Sequence, residues 1–148
     1  MGSRLFNSSF EMELRMLFLL STVKRKPITI ERIVALDFIT CYAADFCLPY
    51  ANLHGQNNYR YGEMSNRRML AQTAVKDLVT KGLLGVTIDR GYLFSIMALG
   101  RKYVRKFESS YAREYKEIAR AVVEKYKKMS DEAILNEIQG QSLNTKKG

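Results

Sequence analysis

Apolar positions recur at helical spacing through most of this chain, and at strand spacing in one short stretch. Phe10, Leu14, Leu17, Phe18 and Val23 give one broad stripe, which Met12, Met16 and Leu20 widen, so a first, mostly buried helix is predicted to run from Ser8 to about Val23. Ser8 with Glu11 three residues later forms a capping box at its start, and Pro27 stops the chain beyond Lys24-Arg25-Lys26. That basic triplet reads either as a solvated helix end or as a DNA contact. Pro27–Ile30 reads as a short strand or as a helix entrance, with Thr29 able to cap a second helix. Ile30, Ile33, Val34, Phe38 and Cys41 form that helix's inner stripe.

The long connection from Leu48 to Tyr61 is rich in turn residues: Pro49, Asn52, Gly55, Asn57 and Asn58. A third helix follows over Glu63–Lys81, with Met64, Ala71, Ala74, Val75, Leu78 and Val79 inward and Arg67, Arg68, Lys76 and Lys81 outward. Gly82 ends it. Leu84, Val86 and Ile88 then alternate, as do Tyr92, Phe94 and Ile96, and Asp89-Arg90-Gly91 suits the loop of a hairpin. A basic helix follows over Ala98–Phe107, with Leu99, Tyr103, Val104 and Phe107 inward. A further amphipathic helix, capped by Ser110, carries Tyr111, Tyr115, Ile118, Val122, Tyr126 and Met129. Such a helix docks on a partner or covers the chain's own core. Ser130 caps a last helix to about Ile138, anchored by Ile134, Leu135 and Ile138, and a polar tail begins at Gly140. The expected fold is mainly α with a small β-hairpin. It comprises a winged-helix-like domain over residues 5–108, a C-terminal helical extension over 109–139 and a flexible tail over 140–148.

Composition narrows the functional classes. With 47% hydrophobic residues among 148, the chain can bury a core. A net charge of +9 points to an acidic partner, either nucleic acid or an anionic protein surface. The longest apolar run, Met16–Leu20, is far too short to span a bilayer, and no secretory signal layout is present, so a cytoplasmic location is expected. Met1-Gly2 would suit myristoylation, but Phe6 stands where Ser or Thr is needed.

Catalytic and cofactor signatures are missing. There is no phosphate-binding GxxxxGK[ST] and no dinucleotide-binding GxGxxG. Two cysteines and a single histidine, His54, give no zinc spacing, and Cys41 and Cys47 read as reduced, semi-buried thiols. Asp37 and Asp45 lie eight positions apart, roughly 12 Å along a helix, too far to share a proton or a metal. Asp37 reads as the partner of a neighbouring arginine. Glu114-Tyr115-Lys116 matches a nuclease E-x-K fragment but sits in a helix without a preceding aspartate, and is read as coincidence. Neither an enzyme nor a cofactor is expected. The candidate nucleic-acid contacts are Arg67, Arg68, Lys76, Arg90, Arg101, Lys102, Arg105 and Lys106. His54, Tyr59, Arg60 and Tyr61 are candidates for partner binding, although a lone histidine in a polar loop more often orders the loop through hydrogen bonds.

Several short motifs, in order, resemble one family. They are Leu5-Phe6-Asn7 with Phe10-Glu11, Ile33-Val34-Ala35-Leu36-Asp37-Phe38, Leu53-His54-Gly55, Tyr61-Gly62-Glu63, Arg67-Arg68, Lys81-Gly82-Leu83 with the hairpin, and Ser110-Tyr111-Ala112. Across Leu5 to Met129 the chain resembles the middle component, type 2, of bacterial ABC-three-component systems, the small subunit of Lamassu-type anti-phage complexes. The resemblance implies a non-catalytic winged-helix adaptor between an SMC-like ABC ATPase subunit and an effector subunit, often a nuclease. It adds Leu5, Phe6, Asn7 and Phe10 to the candidate partner contacts, with double-stranded DNA phosphates as a further ligand. The alternative is a stand-alone winged-helix transcription regulator. A helix-turn-helix joins its helices by about 3–4 residues, and Leu48–Tyr61 is much longer. An enzyme with an unrecognised site is a third reading.

Overall fold

The computed structural model describes residues 8–23, 26–55 and 59–147, with side chains described as far as residue 144. The architecture is helix-rich with one antiparallel hairpin. Helix α1 (Ser9–Thr22) is the hub, touching the three helices α2, α3 and α5, the short α4, and β2. Its Met12 and the run Met16–Leu20 are essentially inaccessible to solvent, as expected of a helix that is apolar nearly all round. Ser8 caps it as expected, its Oγ accepting from the Glu11 N–H at 3.2 Å. Phe10, however, is 57% exposed. It lies in the first turn, at the edge of the packed helices, and not on the core face expected for it.

Ile28 and Thr29 realise both readings of their segment. The backbone of Ile28 pairs with Phe94 in both directions, at 2.9 and 2.8 Å. Thr29 caps α2 (Ile30–Cys41), accepting from the Arg32 N–H at 3.1 Å. A single 3₁₀ turn, Tyr61–Glu63, leads into α3 (Met64–Thr80). Helix α3 ends in a Schellman motif: Leu83 N–H donates to the Leu78 carbonyl, and Gly82 N–H to that of Val79. Gly82 has φ +75°, the left-handed conformation that this cap requires.

Strands β1 (Leu84–Ile88) and β2 (Tyr92–Ile96) pair with Leu84 opposite Ile96 and Ile88 opposite Tyr92. Both Arg90 and Gly91 at the tip have positive φ. Helix α4 (Ala98–Val104) is shorter than expected and turned differently. A Cβ on Gly100 would lie 2.3 Å from the Leu83 carbonyl oxygen, so this glycine lets the helix press against the chain entering β1. Gly100 and Val104 therefore face inward, and Leu99, expected inward, is 53% exposed.

Helix α5 (Ser110–Tyr126) is capped by Ser109, whose Oγ accepts from the Ala112 N–H at 3.2 Å, and not by the adjacent Ser110. Tyr115, Ile118, Ala119 and Val122 bury it in the same core as α1 and α2. Helix α6 (Asp131–Lys147) is capped by Ser130 as expected but continues well past Ile138, through the stretch read as a tail. Leu135, expected as an anchor, lies at the surface, while Ile134 and Ile138 are buried. The turn between α5 and α6 is clamped from α2. Arg32 donates to the Tyr126 and Met129 carbonyls and to Asp131, each within 2.9 Å, and the Thr29 hydroxyl donates to Asp131 at 2.5 Å.

Candidate functional site

The first cluster of charged groups is internal. Asp37 on α2, 1% exposed, accepts from Arg15 Nε of α1 at 3.0 Å and Nη2 at 3.3 Å, from Arg67 Nη1 of α3 at 2.8 Å and from the Tyr115 hydroxyl of α5 at 2.6 Å. One carboxylate thus ties four helices together. Asp37 is the arginine partner that the sequence suggested. Arg67 is the correction. Its position is in helical phase with Ala71, Ala74 and Leu78, so it points inward to Asp37, is 2% exposed and is no surface contact for nucleic acid. Its guanidinium also lies over the Phe38 and Tyr42 rings, at 5.5 and 5.8 Å.

Protonation states in this centre follow from its geometry. Burial alone would raise the Asp37 carboxyl, but the flanking Arg15 and Arg67 guanidiniums overcome that and hold it well below the ordinary carboxylate range. Burial, then the Asp37 charge, pushes the Cys41 thiol up to about 12, so Cys41 is a neutral, buried group with no nucleophilic character. Cys47 is exposed, so only one of the two thiols is buried. The same two causes raise the Tyr115 hydroxyl well above its usual value. Among the described residues no group of three or more His, Cys, Asp or Glu side chains is placed to hold a metal ion.

The long loop is secured by a second polar set. His54 Nε2 lies 2.8 Å from the Tyr111 hydroxyl, and the His54 N–H donates to the Cys41 carbonyl at 3.2 Å. Burial, then the nearby Arg15 and Arg67 charges, lowers the imidazole to about 3, so His54 is neutral at physiological pH. Asp45 accepts from Arg60 Nε at 2.7 Å, from the Tyr61 hydroxyl at 2.9 Å and from Asn52 Nδ2 at 3.2 Å. His54, Arg60 and Tyr61 therefore spend polar atoms on ordering their own loop, whereas Tyr59 is 80% exposed. Leu5, Phe6 and Asn7 lie outside the described residues.

The remaining basic candidates are dispersed over the surface. Arg68 pairs with Glu31 at 2.6 Å, Lys76 is exposed on α3, and Arg90 stands at the hairpin tip. Arg101 donates to the Ile96 carbonyl at 3.2 Å, while Lys102 on α4 and Arg105 and Lys106 in the turn just past it are exposed. Leu99, Lys102 and Tyr103 of α4, with Lys106 in the turn that follows, border a groove of about 330 Å³ against α1. The sequence reading missed both this groove and Arg15. The signal for Arg15 was present: an arginine in helical phase with Met12 and Leu19 faces the core and needs a buried anion.

Comparison with curated proteins and with solved structures returns no match. A family model does match, covering residues 5–147, and it takes in the ionic centre, the ordered loop, the hairpin and the final helix. The chain belongs to the family described as ABC-three component (ABC-3C) system Middle Component 2.

Proposed function

We propose that this chain is a non-catalytic adaptor that bridges an SMC-like ABC ATPase subunit and a nuclease-type effector in a cytoplasmic, Lamassu-type anti-phage complex. Membership of a three-component family supports the existence of partners. The observation that carries the adaptor reading is the division between inside and outside. The buried ionisable side chains Asp37, Cys41, His54 and Tyr115 are committed to internal bonds. The surface offers large apolar groups and cations, the currency of recognition. No helix among the described residues is long and apolar enough to cross a membrane.

The arrangement of α3, the hairpin and the Ile28 bridge favours a winged-helix reading, and with it a second possibility, a stand-alone regulator. The outward side of α3 argues for the adaptor. Between Ser65 and Lys76 it exposes Met69 at 66%, and Arg68 is engaged with Glu31. Titration of the isolated chain with duplex DNA at increasing salt separates the two readings. The adaptor predicts weak, sequence-independent binding, and tight binding to one duplex sequence would overturn it. Within the assembled complex, Arg101→Glu with Arg105→Glu is expected to lower DNA affinity and flatten the plot of log K against log salt by about one to two units. An unchanged slope removes these two arginines from the phosphate contacts.

A further inference from the structure

The groove between α1 and α4 has a floor of Leu14, Leu17, Leu78 and Leu83. Phe10 and Leu99, both more than half exposed, stand on its two banks. Lysines occupy the rim: Lys102 on α4, Lys106 in the turn that follows it, and Lys81 opposite. Glu13 is the single carboxylate among the described residues of the lining, and it faces Lys81 at 3.7 Å, which is itself bonded to Asp77 at 2.8 Å. The groove is therefore apolar along its centre and positive along one side. Large apolar side chains facing one another across a basic rim are the counterpart of a segment with apolar anchors flanked by carboxylates.

The chemistry of the walls selects among occupants. Helix side chains build both banks, so an extended segment would find no strand edge there for its backbone. A helix satisfies its own backbone hydrogen bonds and can lay one face into the groove. Duplex DNA gains from the lysines but not from an apolar floor. A second copy carries the same +9 charge and is repelled. We infer that this groove seats an acidic amphipathic helix contributed by another component of the system. Apolar residues three and four positions apart enter between Phe10 and Leu99, and Asp or Glu side chains meet Lys102 and Lys106. The supplier of the helix rests on the adaptor reading; the fit to the groove rests on its lining.

The test is photocrosslinking in the assembled three-component complex, with benzoylphenylalanine in place of Leu99. The expected adduct is a peptide from another component, with apolar residues at three–four spacing flanked by carboxylates. In parallel, Leu99→Asp is expected to weaken assembly at least about tenfold. Leu143→Asp, an equally exposed leucine on α6, is expected to leave it within about twofold. Lys102→Glu with Lys106→Glu should also weaken assembly, and reversing the crosslinked carboxylates to lysine should restore it. An adduct to residues 1–7 of the same chain, to a second copy or to DNA, or no adduct in an intact complex, overturns the inference while leaving the adaptor reading in place. Failure of the unmodified chain to join the complex overturns the adaptor reading and the inference with it.

Discussion

Asp37→Ala is expected to cost about 3–5 kcal/mol, a large share of the roughly 5–15 kcal/mol that keeps a domain of ordinary stability folded. The substitution removes a small side chain, but the damage lies in what remains. Arg15 and Arg67 would be left as two buried guanidiniums beside each other, and the Tyr115 hydroxyl would lose its acceptor. A buried charge stripped of its counter-ion costs far more than a lost surface pair, because neither guanidinium can shed its proton. The informative comparison is a variant in which the whole centre becomes apolar: Arg15→Met, Asp37→Leu and Arg67→Met together. Replacing all members of a buried ionic triad is often neutral or stabilising, so this triple variant is expected to be more stable than Asp37→Ala alone. Urea denaturation measures both. A loss below about 1 kcal/mol for Asp37→Ala would mean that the centre does not hold the four helices together.

Acidification is expected to destabilise the chain well before its carboxylates titrate. The folded protein holds His54 near 3, whereas an unfolded histidine titrates near 6.5. Below pH 6.5 the unfolded chain therefore binds a proton that the folded chain refuses. The stabilisation is fully present above pH 6.5 and is lost as pH falls, at up to about 1.4 kcal/mol per pH unit. By pH 5 the loss reaches about 2 kcal/mol. His54 is the single histidine, so no other imidazole confuses the slope. Glu11 and Glu13 act in the opposite sense. Their pKa values are raised, chiefly by burial, so they take up protons first in the folded state and offset part of the loss near the carboxylate range. Urea midpoints at pH 7, 6 and 5 read the effect, and His54→Gln is expected to flatten it. A midpoint unchanged between pH 7 and 5 in the unmodified chain would show that His54 is open to water.

Local signals carried much of the fold. The caps at Ser8, Thr29 and Ser130, the Gly82 stop and the alternation of Leu84–Ile88 with Tyr92–Ile96 place the helix starts and the hairpin correctly. These features depend on neighbours within a few residues. Most of what failed depends on contacts across the chain. Arg67 reads as a surface cation by residue type, and only Asp37, thirty positions earlier, explains why it turns inward. The rotation of α4 is set by the close approach of Gly100 to Leu83, which hydrophobic spacing cannot reveal. Ser109 and Ser110 are equivalent as caps in sequence, and the extended backbone at Ser109 decides between them. Gly140 resembles a helix stop, yet α6 passes through it.

The groove was hidden for a related reason. Phe10 and Leu99 both look like core residues when apolar character and spacing are the only guides. Their exposure follows from the first-turn position of Phe10 and the rotation of α4. Loop chemistry was more accessible: a lone histidine beside tyrosines in a turn-rich stretch suggests an ordering hydrogen bond, and His54 makes one to Tyr111.

Subunit omission tests the adaptor account most directly. The three components of the system are co-expressed with an affinity tag on the proposed ATPase subunit, with and without this chain, and the purified assemblies are compared. The account predicts that the effector co-purifies with the ATPase when this chain is present and is lost when it is left out. An effector that stays bound to the ATPase in the absence of this chain would contradict it.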